Sequence, residues 1–396
     1  MAGSGIGEAV AGSTNGAGGT PSAGSAGTPQ DPGGGASDGS SGASAASAGR
    51  ASDGNAGAAG RADVASSVSF SASRVTVTGV RGTSTPIASG EIRLHNAGAT
   101  AVEITGITIG GADASSFTFR QLPAFPSELA AFDDLVLSVE LTTTGSSLPK
   151  APANKDLGCV LLTASVTASL ASGNTAANLY GLLLTQPNYE PTLGQILTTQ
   201  GYALDVGMAQ NDWNPNQSMN AANLPGIEPD TDEVAASRFV KADSGDVELR
   251  VVARFSPVGA LPYGWYAAPL ASGCPIGCST VGTMAMISDA QTSDKARMVD
   301  PPLATGSVTT FDPGDAPFGL WVYSDQKTQQ FGEGGTKTNG DWDYSDDALN
   351  APASVHRFKS YPLKEISHSY LVAVEEAGNG DYQDYVFLLS NVTALP

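Results

Sequence analysis

Three histidines and three cysteines in 396 residues leave little material for a nucleophile–base pair or a zinc centre. The chain has no Gly-x-Ser-x-Gly elbow; Gly277-Cys278-Ser279-Thr280-Val281 breaks that pattern at its last position. It has no His-Glu-x-x-His helix, and Thr336 interrupts the Gly-Lys pair of a phosphate loop in Gly334-Gly335-Thr336-Lys337-Thr338. No catalytic residue is assigned. A carboxylate pair for glycoside hydrolysis is recognised by geometry and not by spacing, so a secreted glycosidase stays as an alternative.

Basic charge is also scarce. With 19 Lys+Arg against 39 Asp+Glu, the formal net charge is -20. Such a chain repels phosphate backbones and anionic membrane surfaces, which argues against nucleic-acid partners. No run reaches the ~18 apolar residues of a membrane span. The start, Met1-Ala2-Gly3-Ser4, lacks the basic and apolar regions of an export signal. The residues after it have the composition of a spacer behind a removed signal, which points to a processed N-terminus carrying a lipid anchor.

Aromatics are missing from the first stretch, and large aliphatics nearly so. Residues 1–65 are mostly Gly, Ala and Ser, a composition that cannot bury enough apolar surface to offset chain entropy. They are expected to form a disordered arm with a reach on the order of 45 Å. From Val68 the texture changes. Short β-branched runs recur between turn signals, at Val68–Val80, Gly90–His95, Val102–Ile109, Phe117–Arg120, Leu135–Thr143, Cys159–Thr167 and Leu179–Thr185. About seven strands in about 120 residues is the pattern of an immunoglobulin-like β-sandwich, here spanning residues 66–186.

A second unit, 187–396, opens with a short amphipathic helix at Leu193–Thr199. Strands are expected at Ser237–Ala242, Val247–Phe255, Thr280–Ser288, Phe318–Tyr323, Arg357–Tyr361, Tyr370–Glu376 and Tyr385–Ser390. Gly, Pro, Asp and Asn loops between them favour a second β-sandwich or jelly roll. The fold class is therefore all-β.

Two resemblances refine this reading. The run GEIRLHNAGATAVEITGITIGGADASSFTF, from Gly90 to Phe119, resembles the immunoglobulin-like repeat called choice-of-anchor D, related to abnormal-spindle and hydin domains. The second unit is similar to a C-terminal domain of large secreted bacterial proteins. The similarity rests on Glu190-Pro191-Thr192-Leu193, Arg238-Phe239-Val240-Lys241, Gly264-Trp265-Tyr266, Tyr361-Pro362-Leu363-Lys364 and the final YLVAVEEAGNGDYQDYVFLLSNV. That last motif is similar to that of a domain of unknown function proposed to be calcium-associated, and the resemblance implies calcium there. The resemblances imply an extracellular or outer-surface location and a modular, non-enzymatic protein; they imply no catalytic residue.

The terminal motif also carries the most chemistry in its own right. Glu375, Glu376, Asp381 and Asp384 converge on a Gly/Asn turn between two apolar runs, with Asn379 among them. Like charges so close repel unless a cation offsets them, and calcium takes six to eight such oxygens. Along a strand Glu375 and Glu376 face opposite ways, so at most one joins the aspartates. Calcium is the expected cofactor; the alternative is a solvated acidic turn.

A second acidic group, Asp341-Trp342-Asp343-Tyr344, mixes aromatics with carboxylates as sugar-binding loops do. With Trp213 it forms the candidate ligand-binding set, for a glycan or extracellular matrix partner. The alternative is an exposed acidic loop. Trp265 and Trp321, within apolar runs, read as packing. Cys274 and Cys278 flank Pro275-Ile276-Gly277, a turn on which a local disulfide is feasible; free thiols and half of a zinc site are the other options. Cys159 reads as a buried small hydrophobe. The expected function is a calcium-stabilised surface protein that binds glycan or matrix, with a purely structural adhesion or envelope module as alternative.

Overall fold

A computed structural model of the chain describes residues 67–83, 89–145, 158–186, 189–207, 226–256, 262–269, 281–285, 297–324, 341–350, 356–375 and 380–396. The arm at 1–65 therefore lies outside the described residues. Residues 63–396 form one compact unit.

The first sandwich is immunoglobulin-like. Its strands in chain order are β1 (Val68–Phe70), β2 (Arg74–Val80), β3 (Gly90–Asn96), β4 (Val102–Gly110), β5 (Phe117–Phe119), β6 (Ser127–Leu129), β7 (Asp134–Leu141), β8 (Cys159–Leu170) and β9 (Gly173–Leu184). One sheet runs β1-β3-β7-β5 and the other β2-β9-β8-β4-β6. Alternation sets the faces. In β3, Ile92 and Leu94 are buried while Glu91 and Arg93 are exposed. Val77, Leu94, Leu137, Val139, Val166 and Leu179 close the core between the sheets. Each such side chain contributes about 1.5–3 kcal/mol on burial. Gly181 lets the sheets approach; a Cβ there would sit 2.9 Å from Leu141 and 3.0 Å from Phe117.

Between the sandwiches, among the described residues, lies the helix α1 (Leu193–Gln200). Thr192 and Gln195 form a reciprocal capping box at its start, and Gly201, at φ 80°, ends it in the left-handed conformation.

The second sandwich comprises β10 (Arg238–Lys241), β11 (Val247–Phe255), β12 (Tyr263–Ala267), β13 (Val281–Ala285), β14 (Arg297–Val299), β15 (Thr310–Phe311), β16 (Phe318–Ser324), β17 (Asp341–Tyr344), β18 (Phe358–Pro362), β19 (Ser369–Val374), β20 (Tyr385–Ser390) and β21 (Val392–Leu395). One sheet runs β13-β12-β16-β10-β21, with β17 also on β16; the other runs β14-β11-β20-β19-β18, with β15 also on β11.

The second of these sheets is buried on both faces, which explains its almost unbroken apolar strands. Tyr385, Phe387 and Leu389 of β20 face the core of the second sandwich, as do Val372 and Val374 of β19. The alternate residues, Val386, Leu388, Leu371 and Ala373, face α1 and the end of the first sandwich. There they meet Leu193, Ile196 and Leu197 of the helix and Val80, Leu182 and Leu184 of the first unit. The two sandwiches thus share a hydrophobic layer, and the buried free Cys159 belongs to it. Burial pushes the Cys159 thiol far up, so it packs as a hydrophobe.

Candidate metal centre

The acidic motif sits at the β19–β20 connection, on the doubly buried sheet. Glu375 comes directly after β19. One of its carboxylate oxygens, Oε2, accepts from the backbone N–H groups of Gly380, Asp381 and Tyr382, at 2.8, 2.9 and 3.3 Å. The turn is tight enough to place Gly380 at φ 84° and Tyr382 at φ 55°. Glycine adopts this left-handed region freely; Tyr382 is held there by its surroundings. Its ring is wholly buried and its hydroxyl donates to the His356 carbonyl at 2.7 Å. Lys359 lies over the same ring, 4.9 Å from the centroid.

This folding brings Glu375, Asp381 and Asp384 together. One carboxylate oxygen from each lies within 4.8 Å of the others, and the three residues are 0%, 2% and 3% exposed. Two oxygens on one calcium can be no more than about 5 Å apart, twice a bond of 2.3–2.6 Å, so the spacing fits a single ion. The donor set is all oxygen, which suits a hard cation and not zinc. The cluster is no solvated turn. Burial, and then the charges of Glu375 and Glu190, push the Asp381 carboxyl well above the usual carboxylate range. Glu376 and Asn379 lie outside the described residues.

Two residues not singled out from the sequence border this cluster. Gln383 is wholly buried and its Nε2 donates to Glu190 Oε2 at 2.9 Å. Glu190 belongs to the segment that leads into α1, and Arg297 Nη2 lies 3.8 Å from its Oε1. The Glu190-Pro191-Thr192-Leu193 run marked this stretch, but nothing in it signals a contact almost the length of the second unit away.

A second ionic network lies beside the first. Lys359 Nζ meets Glu228 Oε1 at 2.6 Å and Glu233 Oε2 at 2.9 Å, with both Lys359 and Glu233 side chains fully buried. Glu233 Oε1 is also 2.8 Å from His356 Nε2, while His356 Nδ1 is 2.8 Å from Asp347 Oδ2. Burial opposes the charged imidazole, but the two carboxylates outweigh it and raise His356 to about 9. Sequence alone missed this network. Lys359 stands in a strand, where a lysine reads as solvent-facing.

The aromatic–acidic stretch is where expectation and structure differ most. Asp341, Trp342, Asp343 and Tyr344 form β17, paired with β16 from Trp321↔Tyr344 to Ser324↔Asp341. Asp343 and Tyr344, expected on an exposed loop, are both buried. The period of two sends Asp343 to one face, where Arg357 Nε lies 3.3 Å from its Oδ1. Tyr344 goes to the other, edge-on to Tyr266 at 5.7 Å. Trp342 is half-buried, against Trp321 at 4.7 Å and Tyr323 at 4.6 Å. Asp343 is thus a counter-charge and Tyr344 a packing residue. The Asp341 side chain, Trp213, Cys274 and Cys278 lie outside the described residues. Trp321 is buried and donates to the Trp265 carbonyl, and Trp265 stacks on Phe311. Among the described residues no helix is long and apolar enough to cross a membrane.

No family model matches the chain, and no curated protein does. Several solved structures match the chain at low similarity. The periplasmic chaperone SfaE matches at 10% identity and TM-score 0.23, over 67% of this chain and 94% of that one. A PapD-like domain of human CEP192 matches at 14% identity and TM-score 0.20, over 30% and 85%. The VesB protease of Vibrio cholerae matches at 15% identity and TM-score 0.20, over 30% of this chain and only 32% of that one.

Proposed function

We propose that the chain is a non-catalytic, secreted or surface-displayed module whose second sandwich is locked by calcium. The observation that carries this reading is the convergence of Glu375, Asp381 and Asp384 at ion-binding distance inside the protein. Asp381 and Asp384 hold the start of β20, a central strand of the doubly buried sheet. An ion bound there ties the C-terminal strands to both hydrophobic layers. Calcium at the millimolar level found outside cells suits extracellular modules of modest affinity. We read the first sandwich as a choice-of-anchor D type spacer and the second as the secreted C-terminal type that ends in the calcium-associated motif.

The acids that cluster are sealed from solvent. A glycosidase instead needs two carboxyls flanking a substrate-sized opening, about 5–5.5 Å or 6.5–9.5 Å apart. This supports a structural adhesion or envelope role over hydrolysis. The proposed partner is a glycan or matrix component. With Asp343 and Tyr344 inside, Trp342 is the candidate with a described side chain that retains exposed surface. The test of the calcium reading is thermal unfolding of the full chain with calcium, magnesium or a chelator.

A further inference from the structure

Gln383 stands in an unusual position for an amide. It is wholly buried, between Tyr382 and Asp384, and its side chain hydrogen-bonds the Asp381 carboxyl as well as Glu190. That places the amide group against the acidic cluster. Its Nε2 is the donor in these contacts, and its Oε1 has no hydrogen-bond partner among the described residues. A buried amide oxygen without a partner is unfavourable, and amide oxygens are ordinary calcium ligands.

The other end of the contact lies in a different part of the fold. Glu190 is 8% exposed and sits two residues before Thr192, the N-cap of α1. That helix fills the layer between the sandwiches through Leu193, Ile196 and Leu197. A cation at the cluster would attract Gln383 Oε1, polarise its amide, and strengthen the donation from Nε2 to the Glu190 carboxylate.

We propose that the ion held by Glu375, Asp381 and Asp384 also takes Gln383 Oε1, and that Gln383 relays it to Glu190, so that calcium clamps the junction between the two sandwiches. The inference rests on the calcium reading above and adds a regulated property to it. With the ion the α1 junction between the two sandwiches stays closed; without it the junction opens more often. A surface module of this kind would be rigid outside the cell and pliable wherever calcium is low.

Hydrogen exchange of the full chain, with calcium chloride or a chelator, tests the clamp. Calcium is expected to slow amide exchange tenfold or more in two places, Asp381–Ser390 and Thr192–Tyr202. Glu190→Met cuts the relay and leaves all four proposed ligands. In that variant calcium should still protect Asp381–Ser390 and should no longer protect Thr192–Tyr202. Gln383→Met cuts the relay from the other side and removes a ligand, so calcium should protect Asp381–Ser390 less and Thr192–Tyr202 not at all. Protection of α1 that survives either variant would overturn the clamp. So would a wild-type response confined to Asp381–Ser390, which would leave the metal site standing. A wild-type chain indifferent to calcium in both places would remove the metal site itself, and the clamp with it.

Discussion

His356 Nε2 lies 2.8 Å from Glu233 Oε1, joining residues 123 positions apart. The same imidazole reaches Asp347 through its other nitrogen, so it pins two connecting segments onto the start of β18. Its folded-state value of about 9 exceeds the ordinary 6.5. The stabilisation is therefore complete below pH 6.5, falls as pH rises, and is gone above about pH 9. Thermal unfolding between these values should show a falling melting temperature, and His356→Gln should flatten that slope. A slope unchanged in the variant would assign the pH dependence elsewhere.

Glu233 gives the acid side of the same effect. Burial raises its carboxyl, but His356 and Lys359 outweigh it and hold it below the usual 4.5. The stability it adds is present above pH 4.5 and is lost as pH falls through the lowered value. Lys359→Met leaves Glu228 and Glu233 without their shared cation. The expected cost is about 3–5 kcal/mol, read from denaturant unfolding, because the two carboxylates lose the cation between them and, of the two, Glu233 alone keeps His356 beside it. A loss below about 1 kcal/mol would mean that the pair behaves as a surface salt bridge.

Tyr344 separates packing from ligand binding. Its ring closes a cluster with Tyr266 and Trp321. Tyr344→Ala should cost about 3–5 kcal/mol, as for other large core truncations. Trp342→Ala, on the half-buried side, should be milder for stability. If β17 serves a glycan, that variant should lose signal on a glycan array while keeping its melting temperature nearly intact. An array on which wild type and Trp342→Ala behave alike removes β17 from the partner surface.

The N-terminal boundary can be checked by limited proteolysis. Val68 is the first residue of a paired strand, opposite Asn96. Cleavage is expected to remove about the first 65 residues, whose composition offers nothing to pack, and to stop near Val64–Val68. A stable fragment that keeps residues near Gly33 would contradict this.

Much of the sheet architecture could be read from the chain, because β-branched alternation marks one buried face. The errors have physical causes. Val68–Val80 reads as one strand, but Ser71-Ala72-Ser73 breaks it into β1 and β2, which join different sheets. The polar stretch from Ala168 to Asn178 reads as a loop. It is the tip of the long β8–β9 ladder, which runs from Cys159↔Leu184 to Leu170↔Gly173. Asp343 looks exposed because its counter-charge, Arg357, is identified only by the fold. The cluster divides in the same way. Asp381 and Asp384 are visible as neighbours in a turn. Glu190 and Gln383 are 193 positions apart, and no local pattern encodes their meeting.

The buried acids Glu375, Asp381 and Asp384 are proposed to hold calcium, and thermal unfolding tests this directly. The full chain is unfolded thermally in millimolar calcium, millimolar magnesium and a chelator. Binding to the native state adds about 2.7 kcal/mol at a hundredfold excess over Kd. Calcium should therefore raise the melting temperature by several degrees. Magnesium, which needs tighter octahedral geometry, should do much less. The double variant Asp381→Asn, Asp384→Asn should melt at one temperature in all three conditions. A wild-type chain whose melting curve is the same with calcium as with chelator would contradict the account.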